Sequence, residues 1–199
     1  MAQAKRVALI LTHGSESMEV VISADVLRRA QFHVDLISIH TDGSKQVDCS
    51  YDITLMSDYN NDPGSENAIS LDGYDALVIP GGKVGYVTLA NSQIAQGYVK
   101  QFNSQNKLVA AVCAGTLLIK TSGLGDSDGN KKLKITSHPS IKDQLVPDFD
   151  YQESRVVVDE NILTSRGPGT TMEFALKIVE VLGGKGLADE IGAPMIVPS

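Results

Sequence analysis

The sequence predicts an α/β fold of the doubly wound, flavodoxin-like kind: a mostly parallel sheet with helices on both faces. Two observations carry this. Short apolar runs recur in "RVALILT", "YDALVIPGG" and "LVAAVC", and such runs fit strands buried on both sides. Stretches of helical periodicity alternate with them, which is the pattern of a parallel sheet sandwiched by helices. With no internal repeat, low-complexity block or linker, residues 1–199 read as one domain.

The elements can be taken in chain order. Arg6 to Thr12 is a buried strand, and Gly14 and Ser15 turn the chain into a helix from Met18 to Gln31. Two arginines near its end suit the negative pole of the helix. His33 to Ile39 is the next strand, "DCSYDITLM" alternates like a half-exposed one, and "MSDYNNDPGSEN" is a polar loop. The strand in Tyr74 to Gly82 stops at Pro80-Gly81-Gly82. "NSQIAQGYVKQFNSQ" is an amphipathic helix with Asn91 as its expected N-cap. "LVAAVC" and "LKITSHPS" are the third and fourth buried strands. "SRVVVDENILTS" is a hairpin turning at Asp159-Glu160-Asn161, and "TTMEFALKIVEVLGG" is a helix closed by glycine.

Composition narrows the function. Charged residues make up 21% of the 199 and the net charge is -7, which argues against strong nucleic-acid binding, since that needs clustered Lys and Arg. Only two cysteines occur, Cys49 and Cys113, so no disulfide framework is expected and a reducing, cytoplasmic setting fits. The apolar run Val7 to Leu11 is too short for a signal-peptide core, and no stretch approaches membrane-spanning length.

In open α/β sheets, sites form at the carboxyl ends of the strands. Four such ends carry distinctive residues: His13 to Glu16 with Glu19, Pro80 to Gly82, Cys113 to Gly115, and His138-Pro139. Cys113 stands between a strand and a helix amid Ala110, Ala111, Ala114 and Gly115. That pattern fits a nucleophile on a sharp turn, with the helix N-terminus favouring thiolate. It fits equally a structural cysteine packed as a small hydrophobe. Glu19, flanked by Met18, Val20 and Val21, is either a first-turn acid at the helix dipole or a buried acid with a raised pKa. Gly81-Gly82 is a plain turn, or Gly82 offers an N–H to an oxyanion with Ala114 as second donor. His138 is a structural histidine or a thiolate partner. "SRGPGT" lacks the Walker lysine, and "DSDGN" (Asp126 to Asn130) is a calcium-loop fragment without its last acid. No metal or cofactor motif is present.

Together these pieces resemble the ThiJ/PfpI superfamily, specifically its DJ-one branch, nearly end to end. The likeness is carried by "VALILTHGSESMEVV", "ADVLRRA", "VDCSYDI", "YDALVIPGG", "VAAVCAGT", "ITSHPSIKDQL", "ILTSRGPGTTMEFALKIVE" and "APMIV". The resemblance implies that Cys113 is the reactive elbow cysteine, Glu19 the acid hydrogen-bonded to its sulfur, and His138 the nearby histidine. It implies Gly82 and Ala114 as oxyanion donors, and Arg29, Arg166 and Pro168 as pocket-edge residues. It also implies a homodimer whose interface takes in the first helix and the segment around Cys49. The chain departs from the family at Tyr51, where relatives carry arginine, at Thr116, where proline is common, and at Met56, where a cysteine is frequent; His13 stands at a variable position. Ala114 after the nucleophile differs from the histidine of peptidase-like branches, and Pro139-Ser140 after His138 from the His-x-Glu of amidotransferases. The expected function is a cofactor-free glyoxalase, or deglycase, acting on a small α-oxoaldehyde. The alternative is an oxidative-stress sensor or redox-regulated chaperone using the same cysteine.

Overall fold

The computed structural model describes residues 4–40, 42–62, 64–125 and 132–197; the Asp126 to Asn130 segment lies outside these. In chain order the elements are β1 (Arg6–Leu11), α1 (Ser17–Arg29), β2 (His33–Ser38), β3 (Gln46–Asp48), β4 (Thr54–Met56), β5 (Tyr59–Asn60), β6 (Ala76–Ile79) and α2 (Gly85–Asn91). They continue as α3 (Gln93–Ser104), β7 (Leu108–Val112), α4 (Thr116–Thr121), β8 (Lys134–Ile135), α5 (Lys142–Leu145), β9 (Asp150–Tyr151), β10 (Val156–Asp159), β11 (Ile162–Ser165), α6 (Thr171–Gly183) and α7 (Lys185–Gly192).

The main sheet has seven strands in the order β10-β11-β7-β6-β1-β2-β5, all parallel except β10. The apolar runs sit at its centre because both of their faces are covered. On β1, Val7, Leu9 and Leu11 enter the core beneath α1 and α6, with Val20, Leu27, Phe174 and Ile178. Ala8 and Ile10 enter the opposite core, with Val99 and Phe102 of α3 and Leu118 of α4. The same alternation on β6 and β7 builds both layers of this flavodoxin-like sheet.

From β1 the chain winds outward to β2 and β5, then returns to the other side of β1 to lay down β6, β7 and β11. Strand order therefore reverses between β1 and β6, and the crevice at their carboxyl ends is where such sheets bind ligands.

Four local expectations differ from the structure. The cap of α3 is Ser92, whose Oγ accepts from the Ala95 N–H at 3.3 Å, whereas Asn91 ends the separate helix α2. "LKITSHPS" is no strand of the main sheet. Only Lys134–Ile135 is extended, paired with β9, and buried threonines divert the chain beyond it: the Thr136 N–H bonds to the Thr164 side chain at 2.9 Å. "DCSYDITLM" is broken into β3 and β4 of a small hairpin by Tyr51 and Asp52, both at positive φ. The polar loop holds β5 at the sheet edge.

Phe174 of α6 is fully buried in the core that seats α1. Its truncation to alanine is expected to cost about 3–5 kcal/mol, read as a lowered midpoint of urea unfolding.

Candidate functional site

Cys113 leaves β7 with a φ of 62°, a left-handed conformation that costs a non-glycine residue energy and persists only where neighbours enforce it. The chain then runs through a tight 3-10 turn, Cys113–Gly115, into α4. Glycines elsewhere make room for the turn. A Cβ on Gly115 would lie 2.4 Å from the Pro80 carbonyl oxygen, and one on Gly81 would lie 2.8 Å from Cys113 Cβ and 3.1 Å from its Sγ. Gly82, at φ 108°, presses against the first loop, where a Cβ would meet Gly14 O at 2.2 Å. Three strand-end loops thus stack backbone on backbone. The Glu16 N–H donates to Gly81 O at 3.1 Å, and the Gly85 N–H to Gly14 O at 3.2 Å.

Glu19 stands in the first turn of α1 with no exposed surface. The Gly81 N–H donates to its Oε2 at 2.6 Å. Oε1 is buried without a full hydrogen bond, and the Cys113 side chain lies close enough to couple to the carboxyl. Burial raises the Glu19 pKa to about 7; the Gly81 and Cys113 hydrogen bonds pull against it, and the charge of Glu16 adds to it.

Burial, then the negative charge of Glu19, pushes the Cys113 thiol well above the ordinary thiol range. The backbone N–H groups of Ala114 and Gly82 pull the other way, toward thiolate. From the sequence, the helix N-terminus is expected to favour thiolate over thiol, whereas burial and Glu19 push the thiol the other way. The helix begins only after the 3-10 turn, and desolvation and a neighbouring carboxylate outweigh it. The two groups titrate as a pair, with the carboxylate as the natural acceptor of the thiol proton.

The sulfur opens onto a cleft of about 870 Å³. Gly82, Ala114, His138 and Pro168 line it, as do Cys49, Tyr51, Lys83 and Tyr86. His138 is tied to the elbow through its backbone, its N–H donating to Cys113 O at 3.2 Å. Its Nδ1 accepts from the Ser140 N–H at 3.2 Å, which leaves the proton of the neutral ring on Nε2. Arg29 and Arg166 do not line the cleft of this chain: Arg29 pairs with Asp25 at 2.7 Å, and Arg166 is held by the backbone and carboxylate of Glu153 at 2.7 and 2.5 Å. Thr116 starts α4 at φ -57°, a conformation proline also adopts, so this departure leaves the helix start intact. Sequence reading passed over Lys83, although its place directly after Gly82 puts it at the same strand end.

The DJ-1/PfpI family matches residues 5–181. Protein DJ-1alpha of Drosophila melanogaster is 39% identical over 194 residues, covering 97% of this chain and 84% of its own. A protein of Schizosaccharomyces pombe named glutathione-independent glyoxalase DJ-1 is 32% identical over 197 residues, covering 97% and 99%. The solved structure of Schizosaccharomyces pombe DJ-1 superposes with a TM-score of 0.86 at 32% identity, over 97% of this chain and 100% of that one.

The buried acid has a measurable consequence. Between its ordinary value of 4.5 and about 7, Glu19 is protonated in the folded state and ionised in the unfolded one. The fold then binds more protons, so stability falls as pH rises through this window, by about 3 kcal/mol in all. Glu19→Gln cannot ionise and escapes the loss. Its urea midpoint relative to wild type is expected to climb from pH 4.5 to 7 and level off above; a difference flat across the window refutes the assignment.

Proposed function

The chain belongs to the DJ-1/PfpI family, and from that premise we propose that it is a glutathione-independent glyoxalase converting methylglyoxal to lactate. One observation carries the reading: a thiol on a strained elbow faces two backbone N–H groups and couples to a buried acid whose pKa is about 7. The name of the Schizosaccharomyces pombe relative supports it.

In this mechanism Cys113 Sγ adds to the aldehyde carbon while its proton passes to Glu19. The new oxyanion meets the N–H groups of Gly82 and Ala114, aimed where the charge develops. Glu19 passes the thiol proton on to that oxyanion, giving a neutral hemithioacetal. The freed carboxylate then takes the hydrogen of the former aldehyde carbon as a proton, giving an enediol once the neighbouring oxygen is protonated. Glu19 returns its proton to the neighbouring carbon as the first hydroxyl loses its own. One carbon is oxidised to a thioester and the other reduced to an alcohol, so no external oxidant or reductant enters. Water cleaves the thioester, releasing lactate and restoring the thiol. An acid near pKa 7 can give and take protons at neutral pH with little penalty, and that is the property such a shuttle needs. His138 and Pro168 shape the cleft, and the same residues would serve removal of glyoxal adducts from amines or thiols.

The protein is further proposed to act as a cytoplasmic homodimer. Two free cysteines support the compartment. Met18 and Val21 on α1, with Ile53 and Met56 on the β3–β4 hairpin, expose apolar surface that supports the dimer. Among the described residues no helix is long and apolar enough to cross a membrane.

A second reading, oxidation sensing, has one observation in its favour. The two N–H groups and the Glu19 carboxyl that surround Cys113 would also hold a sulfinate.

Lactate production from methylglyoxal without glutathione tests the proposal. Wild type is expected to form lactate with kcat/KM rising as pH passes through about 7, Cys113→Ala to form none, and Glu19→Gln to be slower by about 10²–10⁴-fold. Lactate from Cys113→Ala at the wild-type rate overturns the mechanism. No lactate from wild type, with sulfinate on Cys113 after peroxide, favours the sensor.

A further inference from the structure

Apart from the cleft, the described residues bring together one set of metal-ligating side chains: His13, His40 and Asp42. The sheet register is the cause. Leu11 of β1 and Ser38 of β2 are paired neighbours, and each histidine lies two residues beyond its strand end. The imidazole rings come to 4.2 Å between centroids, tilted by 31°. Asp42 is held against both by its own turn, in which the Ser44 N–H donates to Oδ1 at 2.8 Å. Its Oδ2 is 3.2 Å from His13 Nε2 and its Oδ1 is 3.0 Å from His40 Nε2.

We propose that His13, His40 and Asp42 form a site for a divalent transition ion of the zinc class, with the Ser44 carbonyl oxygen within reach as a fourth ligand.

Two imidazoles and a carboxylate are the donor set that suits such an ion. Around a tetrahedral zinc with bonds near 2.0–2.1 Å, neighbouring ligand atoms lie roughly 3.3 Å apart. The two nitrogen–oxygen separations, one to each oxygen of the Asp42 carboxylate, are already near that spacing, and one ligand atom from each of the three residues lies within 4.8 Å of the others. The Ser44 carbonyl oxygen is 2.8 Å from His40 Nε2.

The tautomers decide what the ion displaces. His40 Nε2 faces two acceptors, the Ser44 carbonyl oxygen at 2.8 Å and Asp42 Oδ1 at 3.0 Å, so it carries the ring proton in the metal-free site, while the buried Nδ1 has no partner. Moving that proton to Nδ1 frees the Nε2 lone pair. His13 differs, because its Nδ1 accepts the Asp48 N–H at 3.1 Å. Ligation through Nε2 puts the proton on Nδ1 and breaks that bond, while the Gly14 N–H still holds Asp48 O at 2.8 Å. Binding is therefore linked to the backbone of β3, the strand that leads into Cys49 and Tyr51 of the cleft wall. The chain carries this site outside the proposed glyoxalase chemistry, and the two stand or fall separately.

The test titrates zinc chloride into untagged, full-length protein carrying Cys113→Ala, which removes the competing cleft thiol. Calorimetry is expected to give one ion per chain, and amide exchange at Asp48 to quicken on addition. Replacing even an outer partner of a metal ligand costs about 10–100-fold in affinity, so Asp42→Asn and His13→Gln are each expected to weaken binding by at least that much. Asp42 is exposed, and thermal melts of the metal-free variants establish that they fold. Absence of saturable binding overturns the site, as does binding that neither variant weakens. Exchange at Asp48 that zinc leaves unchanged overturns ligation through His13 Nε2.

Discussion

The absence of a side chain at residue 81 is the constraint on which the site depends. Gly81 gives its N–H to Glu19, takes the N–H of Glu16 on its carbonyl, and lets Cys113 rest against its Cα, where a Cβ would lie 2.8 Å from that of the cysteine. One residue thereby ties the ends of β1, β6 and β7 together at the switch point of the sheet. Gly82 and Gly115 extend the same logic to either side, since a Cβ on each would collide with a carbonyl oxygen. The strained φ of Cys113 survives because these contacts over-determine it.

The chemistry results from where this packing puts charge. A carboxyl carried into the sheet end by the first turn of α1 loses its water, and its proton affinity rises to neutrality. The same burial suppresses the thiolate, and the proposed mechanism turns on proton transfer between thiol and acid. The backbone N–H groups of Gly82 and Ala114 are the opposing influence: they bring no charge, cannot titrate away, and are fixed by the turn. Under the proposed function, a site made this way keeps its thiol protonated until an electrophile arrives.

Much of this was legible from the chain. The apolar runs at β1, β6 and β7 announce themselves because strands buried on both faces have no solvent-side residue to break the pattern. Cys113, Glu19, Gly82 and Ala114 could be picked out as candidates because strand ends, small residues and glycines mark the places where backbones must approach. Short elements fared worse. The two-residue β8 strand donates its Lys134 N–H to the Asp159 side chain, and the β3–β4 hairpin is broken by a left-handed turn, and neither leaves a periodicity to read.

What the sequence by itself determined is the fold class, the parallel centre of the sheet and the residues at its carboxyl edge, since hydrophobic period and turn chemistry are local properties of the chain. Tertiary structure alone decided the direction of the Cys113 titration, because desolvation depends on what packs around the sulfur. It decided that Arg29 and Arg166 are taken up by Asp25 and Glu153 instead of facing this chain's cleft. It also decided that His13 and His40, 27 positions apart, share a carboxylate, because only the register between two neighbouring strands sets them side by side.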